Sequence, residues 1–285
     1  MARGNRGIYR LAATLRDINR LKISKALKNK IRSTWLKTFY FNVYDAGNRI
    51  ADITGSRVRF LDYEDLSYLF NEIFLNNEYY FASGKDDPYI IDCGSNIGMS
   101  VLYFKMLYPN SSILAFEPGQ EAYNCLEENI KNNRWNSVVA HKTALSNKEG
   151  SVDYYYDPDN VGSLVMSLKQ SRMPKQKRSV EASLLSKHID KEVDFLKIDI
   201  EGAEVNVVEE LSVSGKLSYV KQMAIEYHHH ILKEPDIFSR MLKLLEDAGF
   251  GYQLGSRLER PFMRGQYQDI LVYAYQSKEI TDETH

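Results

Sequence analysis

The chain has 285 residues, with 37 Lys/Arg against 38 Asp/Glu and a formal net charge of −1. Hydrophobic residues make up 44% and charged residues 26%, which is the balance of a folded globular protein and excludes a disordered or fibrous one. Two cysteines, Cys93 and Cys125, give neither a disulfide framework nor a paired-cysteine metal site, and no apolar run approaches the roughly 20 residues of a spanning helix. That cysteine usage leads to the expectation of a reducing, cytoplasmic setting, and the basic N-terminus has no apolar signal core.

Residues 1–37 hold eleven Lys/Arg and one acid, so the rest of the chain carries −11. Ile8, Leu11, Leu15 and Ile18 recur near helical spacing, as do Ala26, Leu27 and Ile31. Such a basic amphipathic helix suits packing on the domain or on a twin subunit in a homodimer. The competing surface is an anionic membrane or another polyanion. Residues 40–60 read as short strands, and 61–80 as a helix capped by Asp62 with Leu66, Leu69, Phe70, Ile73 and Phe74 on one face. The break at 83–88 sets the expected organisation: a basic helical extension with short strands over 1–84, an α/β domain over 85–278 and a tail over 279–285.

From there strands and helices alternate. Strands are expected at 89–92, 112–117, 138–142, 151–156, 194–200 and 220–227, with an antiparallel closing pair at 250–254 and 269–275. Helices are expected at about 99–108, 120–132, 183–188, 201–211 and 237–248. Residues 157–179 read as a long loop carrying Lys169, Arg172, Lys175, Lys177 and Arg178. It suits a lid over an acceptor with Ser163 near the pocket, its basic residues attracting phosphate or carboxylate. The alternation predicts a mainly parallel sheet with helices on both faces, and ligands at the carboxyl ends of its strands.

Ile90-Ile91-Asp92-Cys93-Gly94-Ser95-Asn96-Ile97-Gly98 runs from a buried strand into a glycine turn with a helix behind it. Glu117 closes the next strand, 19 residues after Gly98, in reach of the two hydroxyls of a ribose. These parts make a nucleoside pocket. Asn96 and Met99 stand where a dinucleotide fingerprint needs glycines, and Asp92 is a poor neighbour for phosphate. A carboxylate there suits the ammonium and sulfonium of S-adenosylmethionine better than NAD. Farther along, Asp199 and Glu201 leave one strand tip while Glu226 and His228 leave the next, a convergence expected of an active site.

Five segments carry a resemblance: 92–98, Phe116-Glu117-Pro118, Thr143-Ala144-Leu145-Ser146-Asn147, Lys197-Ile198-Asp199-Ile200-Glu201-Gly202-Ala203-Glu204 and Ile225-Glu226-Tyr227-His228. In their order and spacing, residues 89–230 resemble the FkbM family of S-adenosylmethionine-dependent methyltransferases. The resemblance implies a class I (Rossmann-like) methyltransferase fold. It also implies O-methylation of a sugar hydroxyl in a glycan or glycosylated metabolite. The alternatives are a non-sugar secondary metabolite and, at lower rank, a nucleic acid; the acidic core and the missing base-stacking signature weigh against the last.

The cofactor-binding residues expected are Asp92, Gly94, Ser95, Asn96, Ile97, Gly98, Glu117, Pro118, Thr143, Ala144 and Asp199. The turn 94–98 holds the methionine part, Glu117 the ribose, and Thr143 and Ala144 the adenine border. A hydroxyl must lose its proton on methylation, which leaves two hypotheses. In one, His228 or Asp199 serves as general base, with Glu226 beside them in the catalytic set. In the other, Asp199, Glu201, Glu226 and His228 hold Mg²⁺ or another hard divalent cation. Tyr154-Tyr155-Tyr156 reads as packing on a sheet.

Overall fold

The computed structural model describes residues 2–159, 163–164, 166–171, 173, 175–231, 237–256 and 267–277, with backbone alone for 2–10. Arg172 and the tail 279–285 lie outside them. Two N-terminal helices, α1 (Ala2–Arg20) and α2 (Lys25–Thr34), lead into a short π-helical turn. Ser24 caps α2 by accepting from the Leu27 amide. Ile18, Leu21 and Ile31 are buried in the molecule's larger core cluster, so the apolar stripe of this basic segment faces inward there. Among the described residues no helix is long and apolar enough to cross a membrane.

A hairpin follows, β1 (Ile50–Ile53) with β2 (Ser56–Arg59), then α3 (Tyr63–Phe70). Asp62 caps α3 through the amides of Glu64 and Asp65, as its position predicts. The expected single helix over 61–80 is shorter: it changes to a π-helical turn at Asn71–Leu75, and Asn77 takes a positive φ of 64° that ends it. This segment brings Phe70, Phe74, Tyr79 and Phe81 into the larger core. Phe81 stacks on Phe195 with ring centroids 4.3 Å apart.

The rest of the chain is β3 (Tyr89–Cys93), α4 (Met99–Leu107), β4 (Ser112–Phe116), α5 (Gln120–Asn132), β5 (Val138–His141), β6 (Ala144–Leu145), β7 (Gly150–Tyr156), β8 (Gln176–Ser183), β9 (Val193–Ile198), α6 (Glu204–Val213), β10 (Val220–His229), α7 (Phe238–Asp247), β11 (Phe250–Ser256) and β12 (Gln268–Gln276). The main sheet has the order β11-β12-β10-β9-β3-β4-β5. β3, β4, β5, β9 and β10 are parallel, and β12 runs antiparallel between β10 and β11. β3 and β9 are almost wholly buried because helices cover both faces, which is why their sequences are continuous apolar runs rather than alternating ones. This is the class I methyltransferase arrangement. The order of connection reverses between β3 and β9, and a crevice opens there at the strands' carboxyl ends.

One expectation fails in the middle of the chain. β8 begins at Gln176, so the last residues of the predicted loop are strand, and the helix expected at 183–188 is one 3-10 turn, Leu185–His188. β8 is polar and lacks the apolar alternation that marks a strand. It forms because β7 offers cross-strand partners, Asp153 to Lys177 among them, in a small sheet ordered β6-β8-β7.

Candidate active site

A cavity of about 580 Å³ opens at the carboxyl ends of β3, β4, β9 and β10. Gly94, Ser95, Asn96, Glu117, Pro118, Thr143, Ala144, Asp199, Glu201, Glu226 and His228 line it, so most of the residues expected from sequence meet in one place. Asp92, Ile97 and Gly98 are not among its lining residues.

At one end the chain turns back under β4. The amides of Gly94 and Ser95 both donate to the Phe116 carbonyl, at 3.0 and 2.9 Å. Gly94 has φ of 84°, and a Cβ there would sit 1.7 Å from the Asp199 carbonyl oxygen, so no other residue fits. Asn96 also takes a positive φ, 48°, which aims its amide at Glu117 Oε2, 2.9 Å away. The Gly119 amide donates to the other oxygen at 2.7 Å. Glu117 is thus fixed from both sides, its carboxylate at the cavity wall with lone pairs left for hydroxyls. Burial raises its pKa to about 7 against the pull of those two amides.

Asp92 lies one layer below. Ser100 Oγ donates to its Oδ2 at 2.5 Å, and Lys197 Nζ stands 3.3 Å from its Oδ1. The positive charge it faces is therefore the protein's own, because β3 and β9 are paired with Asp92 directly beside Lys197. Lys197 also donates to the Gly94 carbonyl at 2.7 Å and lies 3.3 Å from Asp199 Oδ2. It ties the glycine turn to the tip of β9.

The other end of the cavity collects the acids. Burial would raise Asp199, but the charges of Lys197 and His228 hold it below the usual carboxylate range. Tyr79 Oη lies 3.1 Å from Asp199 Oδ2 and 3.0 Å from Glu226 Oε2. A phenol has one proton, so the second contact needs one on a carboxyl. Glu226 supplies it: burial and the Asp199 charge raise its pKa to about 8. His228 Nδ1 is 2.8 Å from Glu204 Oε1, and its Nε2 is 3.3 Å from Glu201 Oε2 and 3.9 Å from Asp199 Oδ1. Burial opposes a charge on this ring, but Glu201 and Glu204 outweigh it and raise its pKa well above the ordinary histidine value. One ligand atom from each of Asp199, Glu226 and His228 lie within 4.8 Å of one another, a spacing that could hold a metal ion.

Two further walls complete the cavity, one from the N-terminal segment and one from the connection expected to bring Ser163 near the pocket. Glu64, Asp65, Tyr68, Glu72, Glu78 and Tyr79 line the cavity from the N-terminal side of the predicted boundary. Ser163, Leu164, Met166, Ser167 and Leu168, from the connection between β7 and β8, form the opposite wall. The Ser167 hydroxyl donates to the Glu201 carbonyl and pins this segment down. Three basic residues of the connection and of β8 are already paired: Lys175 with Asp157, Lys177 with Asp153 and Arg178 with Glu121.

The family model for the methyltransferase FkbM domain matches residues 92–252, more than half of the chain. The protein belongs to the FkbM family. It is a methyltransferase, and S-adenosylmethionine is the cofactor this family implies. The residues present fit that cofactor: a turn whose Gly94 has no room for a side chain is hydrogen-bonded to a fixed carboxylate, and both border a cavity large enough for a nucleoside. Methyltransferase 1 of Beauveria bassiana is 29% identical over 218 residues, covering 69% of this chain and 84% of that one. Methyltransferase sdnD of Sordaria araneosa is 28% identical over 218 residues, covering 65% and 82%. The crystal structure of Methyltransferase FkbM from Methylobacillus flagellatus is similar over 94% of this chain and 60% of that one, with 16% identity and a TM-score of 0.48.

Tyr79, Tyr154, Lys197 and Glu204 escaped the candidate set. For Lys197 a signal existed, since residues two apart on a strand share a face and Asp199 follows it by two. Glu204 closes the most specific run of the family resemblance. Tyr79 has no motif around it, and its place depends on the π-helical turn that precedes it.

Proposed function

We propose that this methyltransferase acts on a hydroxyl of a sugar, in a glycan or a glycosylated metabolite. The observation that carries the reading is the acceptor-rich end of the cavity. Asp199, Glu201 and Glu226 sit beside Tyr68, Tyr79 and Glu72, an array suited to several hydroxyl donors and an aromatic ring suited to a sugar face. When bound, S-adenosylmethionine supplies a methyl group on a good leaving group, so positioning carries much of the rate. The acceptor oxygen gives up one proton as it gains the methyl group. Glu226 takes it once its own proton, shared with Tyr79, has left, and its pKa of about 8 then makes it a far stronger base than an ordinary carboxylate. His228 has a carboxylate against each ring nitrogen, an arrangement that suits a held cation rather than a free base. Asp199 orients Tyr79 and balances Lys197.

A hard divalent cation is a second reading, favoured by the spacing of Asp199, Glu226 and His228. Those residues, with Glu201, would hold it where an acceptor hydroxyl could reach it. Turnover after rigorous EDTA treatment, with and without added Mg²⁺, separates the two; undiminished turnover removes the metal. The acceptor class is tested by transfer of labelled methyl from S-adenosylmethionine to a panel of sugars, glycosides, aliphatic and polyketide alcohols, and RNA. Label in the sugars and glycosides is expected. Label confined to the other alcohols, or to RNA, would overturn the sugar reading.

A further inference from the structure

Glu204 is the first residue of α6 and only 1% exposed. Three nitrogens converge on its Oε1: the Gly202 amide at 2.8 Å, the Ile200 amide at 3.4 Å and His228 Nδ1 at 2.8 Å. Two of these are donors by their nature. An oxygen held by backbone N–H groups acts as an acceptor, and so the hydrogen of the third contact belongs to Nδ1.

We propose that Glu204 is a positioning residue for methyl transfer: it fixes His228 with Nδ1–H toward α6 and so presents Nε2, and no other ring atom, to the cavity. The inference rests on the active-site reading above. His228 is 4% exposed, and its Nε2 faces Glu201 Oε2 at 3.3 Å and Asp199 Oδ1 at 3.9 Å. Glu201 has a positive φ of 55°, a conformation uncommon outside glycine, and Gly202 follows at 103°. Glu204 binds the amide of Gly202 inside that same turn, so one carboxylate sets both the imidazole and the backbone that aims Glu201 at it. With Nδ1–H held by a carboxylate, Nε2 donates to Glu201 and Asp199 while the ring is a cation, and offers its lone pair to the cavity when the ring is neutral. The competing view is that Glu204 only caps the turn, with His228 a bystander free to turn its ring.

The test needs no acceptor substrate. Long-range ¹H–¹⁵N spectra of the imidazoles in the full chain report which ring nitrogen carries hydrogen, and His228→Gln assigns the signal. The wild type is expected to show a protonated Nδ1 throughout the pH range in which the protein is folded. Glu204→Gln keeps a carbonyl acceptor and retains that pattern; Glu204→Leu loses it. An unprotonated Nδ1 in the wild type overturns the proposal, and that measurement stands even if the leucine variant does not fold. A folded Glu204→Leu protein with an unchanged His228 signal overturns it as well. Titration with S-adenosylhomocysteine tests the underlying reading separately, since a protein that fails to bind it can still show the Nδ1–H pattern.

Discussion

Glu117 shows how a single buried carboxyl in the cavity wall makes stability depend on pH. Its folded-state pKa of about 7 lies above the ordinary 4.5, so the folded protein holds a proton that the unfolded chain releases. Its contribution to stability is therefore full below pH 4.5, falls as pH rises toward 7 and stays low above that. Replacing Glu117 with Gln removes the slope: the melting temperature of the variant should fall less than that of the wild type between pH 5 and pH 8, on the order of 2–3 kcal/mol of relative gain by that linkage. Parallel melting curves against pH would contradict the burial of a charge there. Lys197 makes the opposite case. Its ammonium is the partner of Asp92 in a site where both are almost fully buried. Lys197→Met should destabilise the fold by about 3–5 kcal/mol, because it strands a buried carboxylate. Adding Asp92→Asn should recover much of that loss in chemical denaturation, whereas additive losses would mean the pair is not coupled.

At the scale of elements, the small sheet β6-β8-β7 acts as a side wall. Tyr154 of β7 is 4% exposed and lines the cavity near Glu117, and a Cβ on Gly119 would come within 3.2 Å of its hydroxyl. Arg178 of β8 holds this wall to α5 through two hydrogen bonds to Glu121, at 3.0 and 2.7 Å, and lies over the rings of Tyr154 and Tyr156. Arg178→Ala should weaken cofactor affinity by roughly 5–30-fold, the worth of a partly buried bidentate pair and a ring contact, with a smaller effect on kcat. A fall in kcat with unchanged cofactor affinity would contradict this role. The same elements show what the sequence could and could not reveal. The places of the turn at Gly94, of Glu117 and of the acids at the tips of β9 and β10 were legible, because a buried apolar run that ends in glycine or an acid puts that residue at the carboxyl edge of the sheet, where ligands bind. β8 was not, since its partners across the sheet, and not its own pattern, make it a strand. Tyr154, expected to pack on a sheet, does so and also faces the cavity.

For the whole molecule, the N-terminal segment and the α/β domain share one core. Phe70, Phe74 and Phe81 pack with Tyr103, Phe104 and Phe195, while Tyr79 reaches Asp199 and Glu226 from the same stretch. The break before residue 85 was legible as a turn, but the contacts across it are long-range and leave no local trace. A fragment of residues 85–278 should lack a cooperative melting transition, since it would expose apolar rings worth about 1.5–3 kcal/mol each in burial. A sharp transition in that fragment would mean the segment is dispensable to the fold. We propose that the cavity between Gly94, Glu117 and Asp199 is the S-adenosylmethionine site. Calorimetric titration with S-adenosylhomocysteine, on the wild type and on Glu117→Ala, tests it most directly. Stoichiometric binding by the wild type and at least a tenfold loss in the folded variant are expected; equal affinity in the two proteins would place the cofactor elsewhere, and no binding by the folded wild type would contradict the account.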